Sequence, residues 1–269
     1  NGSASAIAKS VFDALGAKTF VIHNNPDGTN INANCGSTHM GELQARVVYE
    51  KADIGLAFDG DADRMITVDE TGKVSDFDKL LALISKGFGG TVITTVDAGI
   101  CMDEAMAEVG GKVVRTPVGD VSVAKSIIEE DAKFGGEPSG TWLHPDFCMC
   151  PDGLLSGLRI AELVSHEGKL SELLSQFNDY PHKRDKVTCS KEAKVKVMEN
   201  MEDLLKDAFD DIENINTIDG VRITFDDGSW VLVRPSGTED YVRITLESRD
   251  AKRAEELCEI CKKIINDNI

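Results

Sequence analysis

The 269 residues are 41% hydrophobic, enough to bury real cores in two or three compact units, which excludes a disordered tail. The 47 acidic residues outnumber the 29 basic ones and give a formal charge of −18, and no run of Lys and Arg offsets it, which argues against nucleic acid and anionic membranes as partners. Seven cysteines, an odd number spread along the chain, fit a reducing compartment, and no apolar stretch approaches the ~20 residues that cross a bilayer, so a cytoplasmic protein is expected.

The chain opens on Asn1-Gly2-Ser3, a Gly/Ser turn running straight into a helix, as normally follows a strand; the start is expected to be a cut in something longer. Residues 3 to 15 predict a helix with Ile7, Val11 and Leu15 on its inner face, and 18 to 23 a strand. Gly41 to Lys51 reads as helix with Leu43 and Val47 inward, Asp53 to Phe58 as a buried strand, and Ile66 to Val68 as a second short one. A short helix over Asp78 to Ser85 runs into a glycine-rich boundary at 87 to 90.

Beyond it the rhythm restarts: strand 91 to 96, helix 101 to 109 with Met102, Ala105, Met106 and Val109 on one face, strand 112 to 116. Asp120 is predicted to N-cap a helix through Glu130. A further helix over 153 to 166 turns Leu154, Leu158, Ala161 and Val164 inward. Such alternation predicts mostly parallel sheets. The polar stretch 178 to 186 reads as an inter-domain linker and hinge. After it come a helix at about 191 to 208, a hairpin turning at Asp227-Gly228, a strand over 241 to 248 and a last helix over 250 to 266. The expected fold is α/β: two consecutive mixed-sheet α/β domains, 1–87 and 88–180, followed by a smaller α+β domain, 181–269, with an antiparallel sheet.

Three loops carry chemistry. Asp59, Asp61 and Asp63 follow an apolar strand at its carboxyl end, where open α/β sheets place ligands. Alternate carboxylates repel unless protons or a cation compensate, and a hard divalent ion such as Mg²⁺ does so best; the bland reading is a solvated acidic turn. An EF-hand is a poor fit because position six is Arg64 rather than Gly. That arginine beside a cation site argues for an anion nearby. Gly-Gly-Glu-Pro-Ser-Gly at 135 to 140 offers Glu137 and Ser139 to vicinal hydroxyls, or is a surface turn. Arg-Pro-Ser-Gly-Thr-Glu-Asp at 234 to 240, with Arg243 beyond, combines forked donors, hydroxyls and backbone N–H groups suited to a phosphate monoester. Cys258 and Cys261 form a C-x-x-C late in a helix and read as buried thiols.

Taken together and in this order, FDGDADR (58–64), GGEPSG (135–140) and RPSGTED (234–240) resemble the α-D-phosphohexomutase superfamily over essentially the whole chain. The resemblance implies Asp59, Asp61 and Asp63 as Mg²⁺ ligands, Arg64 beside the reacting phosphate, Glu137 and Ser139 on sugar hydroxyls, and Arg234, Ser236, Gly237, Thr238 and Arg243 on the other phosphate. It also implies a first domain in cis carrying a phosphoserine in a Ser-His-Asn-Pro-like loop, which this sequence lacks. The implied reaction is intramolecular phosphoryl transfer through a hexosamine or hexose 1,6-bisphosphate that serves as activator and intermediate, with the chain alone expected to be inactive. The CGSTH run at 35 to 39 and the Glu-Pro-Ser-Gly with Trp142 are most like the phosphoglucosamine mutase branch, which interconverts glucosamine 6-phosphate and 1-phosphate. Glucose or mannose phosphates, or a non-catalytic sugar-phosphate binding module, stay open. Where many relatives have a histidine, position 141 is Thr; His144 is a substitute or an ordinary surface histidine, and the general base is unassigned. A monomer or homodimer is expected.

Overall fold

The computed structural model describes residues 1–269 except Thr238. They form two compact units, one of Asn1–Thr95, Cys101–Val114 and Gly119–Phe177, the other of Val96–Ile100, Arg115–Val118 and Asn178–Ile269.

In the first unit α1 (Ala8–Ala14) buries Phe12, with Ala4 just ahead of it, while Ile7 and Leu15 are exposed. The aromatic ring takes the inward position and turns the helix about 100° from the expected Ile7–Val11–Leu15 face. α2 (Gly41–Glu50) packs Val47 on β1 (Ile54–Phe58), which pairs antiparallel with β2 (Met65–Asp69), Phe58 opposite Met65. Residues 18 to 23, expected as a strand, join no sheet, and β1 pairs with β2 alone among the described residues. The mixed sheet expected at this end is therefore an antiparallel pair.

α3 (Phe77–Phe88) is longer than its apolar run suggests; the Asp76 side chain caps it by accepting from Lys79 N, and Leu80 to Ser85 are buried. A five-stranded sheet follows, built from β3 (Thr91–Thr95), β4 (Lys112–Thr116), β5 (Phe134–Gly136), β6 (Trp142–His144) and β7 (Cys148–Pro151) in the order β4-β3-β5-β6-β7. β3 and β5 run parallel, but β5, β6 and β7 form an antiparallel meander, so the sheet is mixed rather than mostly parallel. Its helices are α4 (Ile100–Glu108), α5 (Asp120–Glu129), α6 (Gly153–Glu167) and α7 (Leu170–Leu174). Asp120 is the first residue of α5 and not its cap, a place taken by Gly119. α6 buries Val164 as expected, but with Ser156, Gly157 and Ile160 in place of Leu154, Leu158 and Ala161, and the small Ser156 and Gly157 let it approach β1 and β2.

In the second unit the stretch expected as a linker, 178 to 186, overlaps β8 (His182–Thr188), an edge strand whose Lys and Arg side chains conceal it in the sequence. The expected 191–208 helix divides at Asn200 into α8 (Lys191–Glu199) and α9 (Met201–Ala208). β9 (Ile212–Asn216), β10 (Val221–Phe225), β11 (Trp230–Pro235) and β12 (Tyr241–Glu247) complete an antiparallel sheet of order β8-β12-β11-β10-β9, and α10 (Ala251–Asn268) closes the chain. One sheet face, with Val231, Val233, Ile244 and Leu246, packs on α8 to α10. Each such side chain contributes about 1.5–3 kcal/mol. The other face carries Trp230 and Leu232 against Val96, Ile100 and Val118, and beyond them a row of cations. No described helix is long and apolar enough to cross a membrane.

Candidate functional site

β1 and β2 are the arms of a hairpin whose connection holds Asp59, Asp61 and Asp63, with one carboxylate oxygen of each within 4.8 Å of the others. Ala62, between two of them, adopts φ +66°, a left-handed conformation that costs a non-glycine residue of order 1 kcal/mol and is tolerated where surrounding structure fixes it. Asp59 is 4% exposed and is held by Arg64, whose backbone N donates to Oδ1 at 3.2 Å and whose Nε donates to Oδ2 at 2.6 Å. Asp63 Oδ1 is buried with no hydrogen-bond partner among the described residues, 3.5 Å from Arg64 Nε. Burial, then the neighbouring Asp59 carboxylate, push the Asp63 carboxyl up to about 6. Burial would lift Asp59 too, but its hydrogen bond with Asp63 and the donors of Arg64 outweigh this and leave it below the usual carboxylate value. A buried lone pair without a donor and one proton shared by two acids are what an oxygen-seeking cation would relieve, so the donor set fits a divalent metal.

The Glu137–Thr141 loop is tied to this hairpin. Met65 N donates to Gly140 O at 3.2 Å, and Arg64 and Thr141 form an isolated antiparallel bridge. Gly140 has φ +89°, and a Cβ there would lie 2.4 Å from Met65 O, so no other residue fits this approach. From the other side Gly153 N, at the start of α6, donates to Ala62 O at 3.0 Å, and Asp152 caps that helix at Leu155 N. Within the loop Glu137 Oε1 accepts from Gly119 N at 2.8 Å and Oε2 from Ser139 Oγ at 3.0 Å, while Ser139 Oγ also meets Thr141 Oγ1 at 3.1 Å. The structure thus brings the aspartates, Arg64, Glu137 and Ser139 onto adjoining loops of one unit.

His144 is not at the surface. It is 1% exposed, stacked at a tilt on Phe88 and Phe134, with Nε2 2.9 Å from Ser156 Oγ; burial, then the charge of Arg159, push it down to about 4. That placement removes it as a solvent-facing proton carrier. Cys258 and Cys261 are buried on α10 as expected, and burial pushes Cys261 up to about 12. A cavity of about 270 Å³ runs beside β1 and reaches Asp59; its walls include Phe12, Phe20, Leu43, Val47 and Leu56, with Lys18, His23 and Arg46 among the polar residues around it.

In the second unit Arg234 and Arg243 sit directly opposite each other on β11 and β12, and Lys186 of β8 sits opposite Arg243. Three cations in register on one face repel, at a cost of a few tenths to 1 kcal/mol per pair, unless an anion lies over them. Asp219 Oδ1 accepts from Arg234 Nε at 2.8 Å, and Tyr241 OH accepts from Arg243 Nη2 at 2.8 Å. Lys186 lies over the Tyr241 ring. Ser236 Oγ accepts from Glu239 N at 3.0 Å, and Lys194 Nζ donates to the carbonyls of Ser236 and Glu239, at 2.7 and 2.9 Å, drawing the two sides of the loop together. Gly237 has open space where a Cβ would be, and Thr238 lies outside the described residues. Sequence reasoning missed Lys186, Asp219 and Lys194. Four consecutive charged residues, Lys183 to Lys186, leave no local alternation that would have marked β8 and placed Lys186.

The chain matches three domains of one family: phosphoglucomutase/phosphomannomutase alpha/beta/alpha domain II over residues 1–72, alpha/beta/alpha domain III over 76–180, and the C-terminal domain over 186–263. It belongs to this family, within the α-D-phosphohexomutase superfamily. All of it aligns at 61% identity with a probable phosphoglucosamine mutase of Methanobrevibacter smithii, and 96% of it at 39% identity with a phosphoglucosamine mutase of Methanococcus maripaludis, spanning 60% of each. A phosphoglucomutase/phosphomannomutase family protein of Burkholderia thailandensis superposes with a TM-score of 0.86 at 26% identity, over 99% of this chain and 58% of that one. A putative phosphomannomutase of Thermus thermophilus, at 0.72 and 22% identity over 98% and 59%, is alike in fold alone.

Proposed function

We propose that the chain is the metal-, sugar- and phosphate-binding part of a phosphohexomutase that interconverts glucosamine 6-phosphate and glucosamine 1-phosphate. The observation that carries the reading is the convergence of Asp59, Asp61 and Asp63 beside Arg64 on a hairpin tied to the Glu137–Ser139 loop. The identities of 61% and 39% to phosphoglucosamine mutases support the amino sugar as substrate.

The reaction balances in two transfers. A phosphoserine supplied in cis by a further domain gives its phosphoryl group to the sugar hydroxyl, leaving serine and a 1,6-bisphosphate; the bisphosphate turns and returns its other phosphoryl group to the serine. Asp59, Asp61 and Asp63 would hold a divalent cation, which when bound supplies positive charge against the transferring group. Arg64 presents the outer edge of its guanidinium, its Nε being engaged by Asp59, and stabilises charge developing on phosphoryl oxygens. Glu137 accepts from and Ser139 donates to the sugar hydroxyls, exchanging their mutual hydrogen bond for the ligand. Arg234 and Arg243, steadied by Asp219 and Tyr241, grip a phosphate monoester.

A full-length parent assayed separately on glucosamine, glucose and mannose 6-phosphates with the matching 1,6-bisphosphate tests the proposal. It predicts the highest kcat/KM on glucosamine phosphate and no multiple turnover by the 269-residue chain alone. Equal or greater efficiency on glucose or mannose phosphate contradicts the substrate, and sustained turnover by the chain alone contradicts the division of labour.

A further inference from the structure

Cys148 and Cys150 stand apart from the chain's other thiols. Cys35, Cys101, Cys189, Cys258 and Cys261 are buried, whereas these two are exposed on β7 with their sulfurs 3.2 Å apart. Alternate residues of a strand share a face, and β7 is an edge strand with no strand neighbour on one side among the described residues. Phe147, just before the pair, and Met149, between its members, are exposed as well.

We propose that Cys148 and Cys150 form a surface dithiol that closes reversibly to an intramolecular disulfide by exchange with a low-molecular-weight disulfide of the glutathione class. Two residues apart in an extended strand, their Cα atoms are separated by roughly 6.6–6.8 Å, at the upper end of the range a disulfide spans, so closure must bend the strand. β7 can bend: its pairing with β6 shifts register between Leu143 and His144, and its outer edge is free. A bond closed against such resistance is readily reduced, which suits a switchable link rather than a structural one.

The chemistry closes without any further reagent. One protein thiolate attacks a sulfur of the small disulfide, forming a mixed disulfide and expelling one small thiolate. The neighbouring protein thiolate then attacks the protein-side sulfur, forming the Cys148–Cys150 bond and expelling the second. Two protein thiols are oxidised, one small disulfide is reduced to two thiols, and the protons lost by the protein go to the released thiolates. The hydrogen bond to Cys148, then burial, raise the Cys150 thiol, which suits Cys150 to the second, resolving attack.

The test incubates the native chain with oxidised and reduced glutathione in stepped ratios, followed by acid quench and mass spectrometry of the peptide carrying both residues. Expected for the native chain is loss of two thiol hydrogens with no adduct, reversed by excess reduced glutathione. Cys148→Ser and Cys150→Ser should each retain one glutathione, with the adduct at least roughly tenfold more populated than in the native chain, because the neighbouring thiol acts at a high effective concentration. A native peptide that retains glutathione to the same extent as the variants, or stays reduced at ratios that modify them, overturns the proposal.

Discussion

Replacing Gly140 with Ala tests how closely the Glu137–Thr141 loop approaches the aspartate hairpin. At φ +89° an L-residue costs about 1–2 kcal/mol in backbone strain alone. The added Cβ would also lie 2.4 Å from Met65 O, so loop or hairpin must move by more than half an ångström, against a carbonyl fixed in a buried strand. That movement breaks the Met65 N to Gly140 O hydrogen bond, worth about 1 kcal/mol. The combined loss is about 2–4 kcal/mol. Gly110→Ala is the control: Gly110 has φ +65° but nothing within 4 Å of the new methyl, so it carries the strain of about 1–2 kcal/mol alone. Thermal denaturation followed by circular dichroism should place Gly140→Ala below Gly110→Ala by roughly 2–6 °C, and isothermal titration should show weaker Mg²⁺ binding in the former only. Equal melting temperatures for the two variants would refute the close approach and with it the coupling of the two loops.

Three further outcomes follow from the charges. Asp63 sits at about 6, so a proton competes with metal below that pH; the apparent Mg²⁺ affinity should be flat above pH 6 and fall about tenfold per unit below it, as titrations at pH 5, 6 and 7 will read. Asp63→Asn should abolish this dependence as it weakens binding. Arg243→Ala should weaken glucosamine 6-phosphate binding roughly tenfold or more by loss of a charge-assisted contact, whereas Lys186→Ala should lower it less and mainly at low salt. His144 is buried with its value pushed down from 6.5 to about 4, so the folded state resists a proton that the unfolded state accepts. The stability this represents is complete above pH 6.5 and is lost as pH falls toward 4, up to about 3 kcal/mol; urea titrations should show that slope in the native chain and not in His144→Gln.

Much of this was legible in the residues. Strand ends at Phe58 and the Asp227-Gly228 turn follow from alternation and turn chemistry, which act locally, and both appear in place. What misled was anything decided by a distant partner. Residues 18 to 23 have strand-like composition but pair with no described strand. β8 looks like a polar linker because only Val187 of its side chains is buried, and its identity rests on pairing with β12 more than fifty residues later. The packed faces of α1 and α6 went to Phe12 and to Ser156–Gly157 because aromatic bulk and close helix approach, not the leucine count, set the rotation. His144 could not be placed without seeing Phe88 and Phe134 close over it. The aspartate loop was readable because its chemistry lies in five consecutive residues, while Asp219, fifteen residues from Arg234, carries no local signal of its role.

Titration of Mg²⁺ into the native chain and into Asp61→Asn at pH 7, read by calorimetry, is the most direct test of the account. One site per chain, weakened roughly tenfold or more in the variant, is the predicted result. A native chain that takes up no Mg²⁺, or binds it as tightly after the substitution, would contradict the assignment of these carboxylates as metal ligands.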